Sequence, residues 1–439
     1  MPQHDPSNWW MPFTDHRQFQ HKPRIFTAAK GSFLTTDDHR QVLDITAGLW
    51  CMNLGHGRQE VADAVSQQLM QLDFAPGFQF ANPQAMRYAK RICQHTPDEI
   101  NKVFYTNDGS SAVDTALKMA YAWHQAKGQG TRQRFVSRMG GYHGINIGGT
   151  SMQGLANNRK GFPVLDCVDF LPHLLDIEHN AFTKGLPDHG ADKADALNDI
   201  IAFRGAENIA AVIIEPIIGA GGMVPPPKGY LQKIRQICDE HGIVLIFDEV
   251  VTGFGRTGAA FAANEFGVTP DIMTSAKGIT GGFVPLGAVF VKDHIYQTIV
   301  DNAPDNGPEF FHGTTYAGHP VSCAAANACL DIYEREKLFE QSGSALIQHW
   351  QDTLHSLREA LPQLVDIRNY GLLGGITFAQ QPRFPGNAGG AVHNTCFDRG
   401  LLCRGIGNHM VMSPPLTITT QEIDVFAATF IDAVRKTLN

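Results

Sequence analysis

The chain has 439 residues, 43% of them apolar and 18% charged, with a formal net charge of −8. That length can bury a large core and hold one big domain plus a smaller one, and the acidic balance, with its 35 basic residues scattered rather than in runs, argues against a nucleic-acid coat. No apolar run approaches the ~20 residues of a bilayer span, the start Met1-Pro-Gln-His-Asp-Pro6 lacks a basic region followed by an apolar stretch, and the eight cysteines show no metal spacing, so the expectation is a cytoplasmic protein with reduced core cysteines and no metal.

The first ~55 residues mix Trp, Pro and Phe with short strand-like pieces such as Gln41-Val-Leu-Asp-Ile45. From about residue 60, helices alternate with short apolar strands. Val103-Phe-Tyr-Thr106 reads as a strand, and Ser111 to Gln125 as a helix with Val113, Leu117, Ala120 and His124 on one face. Further strands are expected at Arg134-Phe-Val-Ser137, Ala211-Val-Ile-Ile214, Val244-Leu-Ile-Phe247, Ile272-Met-Thr274 and Ala288-Val-Phe-Val291. The helix Tyr230 to His241 should stop at Gly242 in a left-handed cap. Pro-rich Val224-Pro-Pro-Pro227 marks a loop, and after about residue 325 a second α+β region runs to a helix near Lys436. Strands this apolar, alternating with helices, predict an α/β protein with a largely parallel sheet covered on both faces.

In such sheets ligands collect beyond the carboxyl ends of the strands, and four unusual groups follow apolar runs here. Asn107-Asp-Gly-Ser-Ser111 joins a strand to a helix, where small residues expose backbone N–H groups that suit a phosphate dianion; Ser111-Ala-Val-Asp114 also matches a capping box, the pattern of any well-capped helix. Gly140-Gly-Tyr-His-Gly144 offers an aromatic ring that can lie flat on a planar ligand, or simply pack in a turn. Asp248-Glu249 closes the apolar run Ile243 to Phe247, where an unpaired carboxylate costs several kcal/mol. It could serve a metal or pair with a protonated ring nitrogen; the metal reading of a nucleotide hydrolase needs a Gly-x-x-x-x-Gly-Lys-Ser/Thr loop, and the chain has none. Lys277 stands at another strand end, where desolvation lowers the pKa of an amine and makes it a nucleophile, unless it snorkels to the surface. One crossover unit separates Asp248 from Lys277, so both can reach one crevice. Gly253-Phe-Gly-Arg-Thr-Gly258 satisfies a dinucleotide fingerprint, but four residues intervene between Asp248 and its first glycine, against the tight strand-to-helix turn that fingerprint needs.

Taken in order, Phe247-Asp-Glu-Val-Val-Thr-Gly-Phe-Gly-Arg-Thr-Gly258, Pro270-Asp-Ile-Met-Thr-Ser-Ala-Lys-Gly278 and Gly281-Gly-Phe-Val-Pro-Leu-Gly-Ala288 resemble the signature of the class III aminotransferases. Trp10-Met-Pro-Phe-Thr14, Gly48-Leu-Trp-Cys51, Pro76-Gly-Phe78, His312-Gly-Thr-Thr-Tyr316, and Arg404 with Ser413-Pro-Pro-Leu416 extend the resemblance to the β-alanine (ω-amino acid):pyruvate aminotransferases over nearly the whole chain. It implies a type I pyridoxal-phosphate fold, with a large domain over about 61–325 and a small domain made from about 1–60 and 326–439. It also implies pyridoxal 5′-phosphate as cofactor and a homodimer, or a tetramer made of two such dimers, whose active sites lie at the subunit interface.

By the same resemblance, Lys277 would form a Schiff base and shuttle the proton, and Asp248 would pair with the pyridinium nitrogen. Tyr142 and Val250 would flank the ring, Gly109 and Ser110 would hold the phosphate with Thr315 of the neighbouring subunit, and Glu215 would sit near the polar edge. Phe13, Trp50 and Phe78 would wall the substrate pocket together with Tyr142, and Arg404 would bind the acceptor's carboxylate. The reaction expected is ping-pong transamination from an ω-amino acid or primary amine to pyruvate, giving an aldehyde or ketone and alanine. Taurine as donor, another pyridoxal-phosphate reaction such as aminomutation or racemisation, a silent dimeric scaffold and a nicotinamide dehydrogenase are the rival readings. One departure stands out: many members have Ser-Gly-Ser-Glu where this chain has Asp108-Gly-Ser-Ser111, which puts a carboxylate beside the phosphate site.

Overall fold

Three sheets organise the chain in a computed structural model that describes residues 7–439. The central one has seven strands: β1 (Ile100–Thr106), β2 (Arg134–Arg138), β3 (Val168–Leu171), β4 (Ile209–Ile214), β5 (Val244–Asp248), β6 (Ile272–Ser275) and β7 (Gly287–Lys292). Their order is β1-β7-β6-β5-β4-β2-β3. Pairings from β6 through β3 are parallel, and β7 runs antiparallel to both neighbours. Every residue of β4, β5 and β6 is buried, as an apolar strand covered on both faces requires. The exits of β1, β2, β4, β5 and β6 therefore open on the same edge of the sheet. All six sequence-predicted strands of this region lie where expected, within three residues at their ends, as does the Tyr230–His241 helix with Gly242 left-handed at φ 61°.

The helix after β1 spans Gly109–Ala126 and lays Val113, Leu117, Ala120 and His124 into the core. His124 is a satisfied core histidine, with Nε2 2.9 Å from the Ala210 carbonyl oxygen. The cap differs from the capping box expected at Ser111. Asp108 holds the N-cap position, and its Oδ1 accepts the Ser111 N–H at 2.9 Å. The helix thus begins two residues earlier, bringing Gly109 and Ser110 into its first turn.

The two smaller sheets involve the ends of the chain. Phe26–Lys30, Phe33–Thr36 and Gln41–Asp44 form an antiparallel meander that Leu401–Leu402 extends in parallel, Leu401 pairing with Leu43. Leu364–Tyr370, Leu373–Phe378, His409–Met412 and Arg404–Ile406 make the third sheet. All eight cysteines are free, and five are buried. Among the described residues no helix is long and apolar enough to cross a membrane.

The glycine-rich Gly253–Gly258 segment joins these parts. No helix starts there; the chain passes through positive φ at Phe254, Gly255 and Gly258 instead. Arg256, fully buried, donates to the Ser413 and Pro414 carbonyls and, at 2.6 Å, to Asn53 Oδ1. Asn53 Nδ2 returns a bond to the Phe254 carbonyl at 2.8 Å, while the Arg256 carbonyl accepts the Leu372 N–H at 3.0 Å. Burial lowers the Arg256 pKa to about 10. Beside it, Glu249 gathers the N–H groups of Ala262 and Ala263 and the Thr252 hydroxyl, and burial raises its carboxyl to about 7.

Replacing Arg256 leaves several buried acceptors without donors, each costing ~1–3 kcal/mol. Arg256→Met should lower the unfolding free energy by about 3 kcal/mol or more, read from the urea midpoint, whereas Arg256→Lys should lose less.

Candidate active site

The strand exits converge on a cavity of about 500 Å³, a size that suits a small organic cofactor and its substrate. Its wall includes Asp108, Gly109, Ser110, Tyr142, His143, Glu215, Asp248, Val250 and Lys277.

Asp248 is the last residue of β5, and a carboxylate so buried needs donors. His143 Nδ1 lies 2.8 Å from its Oδ2, while the Thr274 hydroxyl and the Val250 N–H donate to Oδ1 at 3.2 and 3.1 Å. Thr274 is placed by the strand pairing itself, as the residue of β6 opposite Asp248. A carboxylate only accepts, so His143 carries its hydrogen on Nδ1; its fully buried Nε2 has no protein partner among the described residues. Glycines let this loop approach so closely. A Cβ at Gly144, whose φ is 88°, would fall 2.7 Å from Ser110 Cα. Glu215 anchors the same loop, its two oxygens accepting the N–H groups of Tyr142 at 3.0 Å and Gly219 at 2.9 Å. Burial, reinforced by Asp248 and opposed by His143, raises the Glu215 pKa.

Lys277 follows β6 at φ 41°, a left-handed conformation that a lysine rarely adopts and that marks functional sites. Its Nζ makes no hydrogen bond or ion pair among the described residues and lies 5.2 Å from the centre of the Trp50 ring. Desolvation lowers its pKa, against the opposing charge of Asp248. The Arg404 guanidinium stands 5.7 Å from the same indole, with Nε buried and without a partner among the described residues. Desolvation lowers the Arg404 pKa too, with Tyr142 opposing.

On the opposite side, the first N–H groups of the Gly109–Ala126 helix have no intrahelical acceptor. Gly109 has no room for a side chain, since a Cβ would meet the Val250 methyls at 3.0–3.1 Å. Asp108 turns its carboxylate back onto Ser111 N and Oγ.

The fold thus gathers eight of the residues singled out in the sequence around one cavity: Gly109, Ser110, Tyr142, Glu215, Asp248, Val250 and Lys277 on its wall, with Trp50 against Lys277. Arg404 joins them through Trp50. Phe13, Phe78 and Thr315 are exposed and do not line the cavity. His143 and Thr274 escaped the sequence reading; the only signal for His143 was its place next to Tyr142 between glycines.

The residues match the family described as aminotransferase class-III over positions 15–434. An omega-aminotransferase of Caulobacter vibrioides is 46% identical over 98% of this chain and 97% of its own length. A beta-alanine–pyruvate aminotransferase of Pseudomonas aeruginosa is 44% identical over 98% and 95%. Among solved structures, an (S)-enantioselective omega-transaminase from Thermomicrobium roseum superposes with a TM-score of 0.91 at 35% identity, covering 98% of this chain and 96% of that one. An amine transaminase from an uncultivated Pseudomonas species, with pyridoxal phosphate bound, gives 0.90 at 33% identity over 98% and 99%.

The site fits that cofactor. It presents free N–H groups at a helix end for a phosphate, a hydrogen-bonded carboxylate for a ring nitrogen, and an unpaired, desolvated amine for an aldehyde carbon. Sequence, fold and site agree that this chain belongs to the class III aminotransferases and is a pyridoxal-phosphate-dependent transaminase of the type I fold.

Proposed function

We propose that this enzyme transfers the amino group of a β-alanine-like ω-amino acid, or of a primary amine, to pyruvate in two alternating half-reactions. The observation that carries the reading is Arg404, a desolvated guanidinium that finds no hydrogen-bond acceptor among the described residues and stands 5.7 Å from the Trp50 ring, whose centre is 5.2 Å from the Lys277 amine. A guanidinium left unpaired so close to a nucleophilic amine suits a substrate with a carboxylate at one end and its reacting carbon at the other. The names of the relatives, a beta-alanine–pyruvate and an omega-amino acid–pyruvate aminotransferase, point the same way.

Bound pyridoxal phosphate supplies an electron sink for charge developing on the substrate carbon. The chain's own residues do the rest. Lys277, whose pKa desolvation lowers, anchors the cofactor and then takes and returns the proton at the substrate carbon. Asp248 accepts the ring N–H, and His143 and Thr274 keep its carboxylate oriented for that bond. Tyr142 and Val250 hold the ring between them, and Gly109 and Ser110 grip the phosphate.

In this reading Phe13 and Phe78, 73% and 57% exposed, and the exposed Thr315 complete the site in a second copy of the chain. Phe311, 86% exposed beside that loop, adds apolar surface suited to a subunit interface.

Visible absorption tests the whole assignment. The purified enzyme should be yellow, bleach with β-alanine and recover its colour with pyruvate; a spectrum indifferent to both substrates would sink it. Lys277→Ala should abolish turnover while leaving the far-ultraviolet circular dichroism unchanged. Asp248→Asn should lower kcat by about 10²–10³-fold, with His143→Phe a weaker version of the same defect. Arg404→Ala should raise the KM for pyruvate by ~10–100-fold, the value of a charge-assisted hydrogen-bond pair. The half-reaction with an amine donor that lacks a carboxylate, followed by stopped-flow absorbance, should change little.

A further inference from the structure

The carboxylate of Asp108 stands at the rim of the cofactor cavity, one residue before Gly109 and Ser110. It caps the Gly109–Ala126 helix, taking the Ser111 N–H at 2.9 Å and the Ser111 hydroxyl at 3.1 Å. No lysine or arginine pairs with it among the described residues. Capping alone does not call for this charge, because Asn and Ser cap as well as Asp.

The charge has two consequences for a phosphate at the same helix end. It offsets part of the partial positive charge that the helix N-terminus offers an anion, and it repels the dianion directly. Its field extends across the cavity. Asp108 is one of the groups that raise the Tyr142 phenol, after burial, which is the largest cause, and it also raises Asp114, again behind burial. The neighbouring Ser110 hydroxyl is engaged as well, accepting the Ile145 N–H at 3.1 Å.

We propose that Asp108 acts as an electrostatic brake on phosphate binding and sets how firmly this enzyme keeps its cofactor, above all in the aminated form that has no bond to Lys277. The proposal rests on the reading that Gly109 and Ser110 hold the cofactor phosphate. In that form the phosphate grip, the Asp248 contact and ring packing are all that retain the cofactor, so a like charge at the helix end weighs most there.

Equilibrium binding to the cofactor-free protein tests this without any turnover. Pyridoxamine 5′-phosphate, which carries an amine and cannot condense with Lys277, is titrated by calorimetry into wild type, Asp108→Asn and Asp108→Ser. Pyridoxamine, lacking the phosphate, is the companion probe. Both variants keep a capping side chain and remove the charge. The expected result is about three- to tenfold tighter binding of the phosphorylated probe in both variants at low ionic strength. That gain should shrink in roughly 0.5 M salt, and pyridoxamine should bind all three proteins alike. Equal affinities for the phosphorylated probe overturn the proposal, as does a gain shared equally by pyridoxamine. A wild type that binds the phosphorylated and unphosphorylated probes equally overturns the phosphate site itself, and the proposal with it.

Discussion

A carboxylate at the end of a buried strand has to be surrounded by donors, and the active site is arranged around that demand at Asp248. Its three partners come from three places: His143 from the loop after β2, Thr274 from the adjacent strand, and Val250 from the turn that leaves β5. To bring His143 there, the loop after β2 must pass against the start of the Gly109–Ala126 helix, where Gly144 touches Ser110. The same passage puts Tyr142 over the cavity, with Glu215 fixing its backbone. Satisfying one buried anion therefore fixes Tyr142 and the Gly109–Ala126 helix relative to each other.

The placement of Trp50 and Arg404 depends on a buried cation in a comparable way. Arg256 has no carboxylate partner among the described residues, and its charge is met by carbonyl dipoles and one amide oxygen. Those acceptors belong to Asn53, three residues after Trp50, and to Ser413 and Pro414, which follow the strand beside Arg404. The glycine-rich segment that mimics a dinucleotide fingerprint is thus a joint. Its glycines permit close approach between segments of one chain, whereas in a dinucleotide fold they would permit approach to a ligand.

Much of this was readable from residue order. Apolar runs of strand length identified the central sheet, and Lys277 and Asp248 drew notice because each is a charged residue just after such a run. What escaped notice depends on contacts between distant segments. His143 pairs with Asp248, 105 positions away, and no local pattern distinguishes it from a histidine in a turn. Asp108 and Ser111 both precede a plausible helix, and only the observed hydrogen bond shows which one caps it. The roles of Phe13, Phe78 and Thr315 were inferred from resemblance alone, and a single chain leaves all three facing outward.

The pairing of Leu401–Leu402 with Gln41–Asp44 bears on how the protein is made. The meander leaves the ribosome long before its partner strand, yet Leu43 donates its N–H to the Gly400 carbonyl and Ile45 donates to that of Leu402. At 5–20 residues per second, roughly 20–70 s separate the synthesis of the two partners. Throughout that interval the meander has an open edge, a liability for pairing with other chains. Native pairing over so long a stretch of sequence also slows folding. The large sheet can form before Leu401 is synthesised, but the surface around Trp50, which packs with Ile406 and Val411, can close only after those residues have emerged.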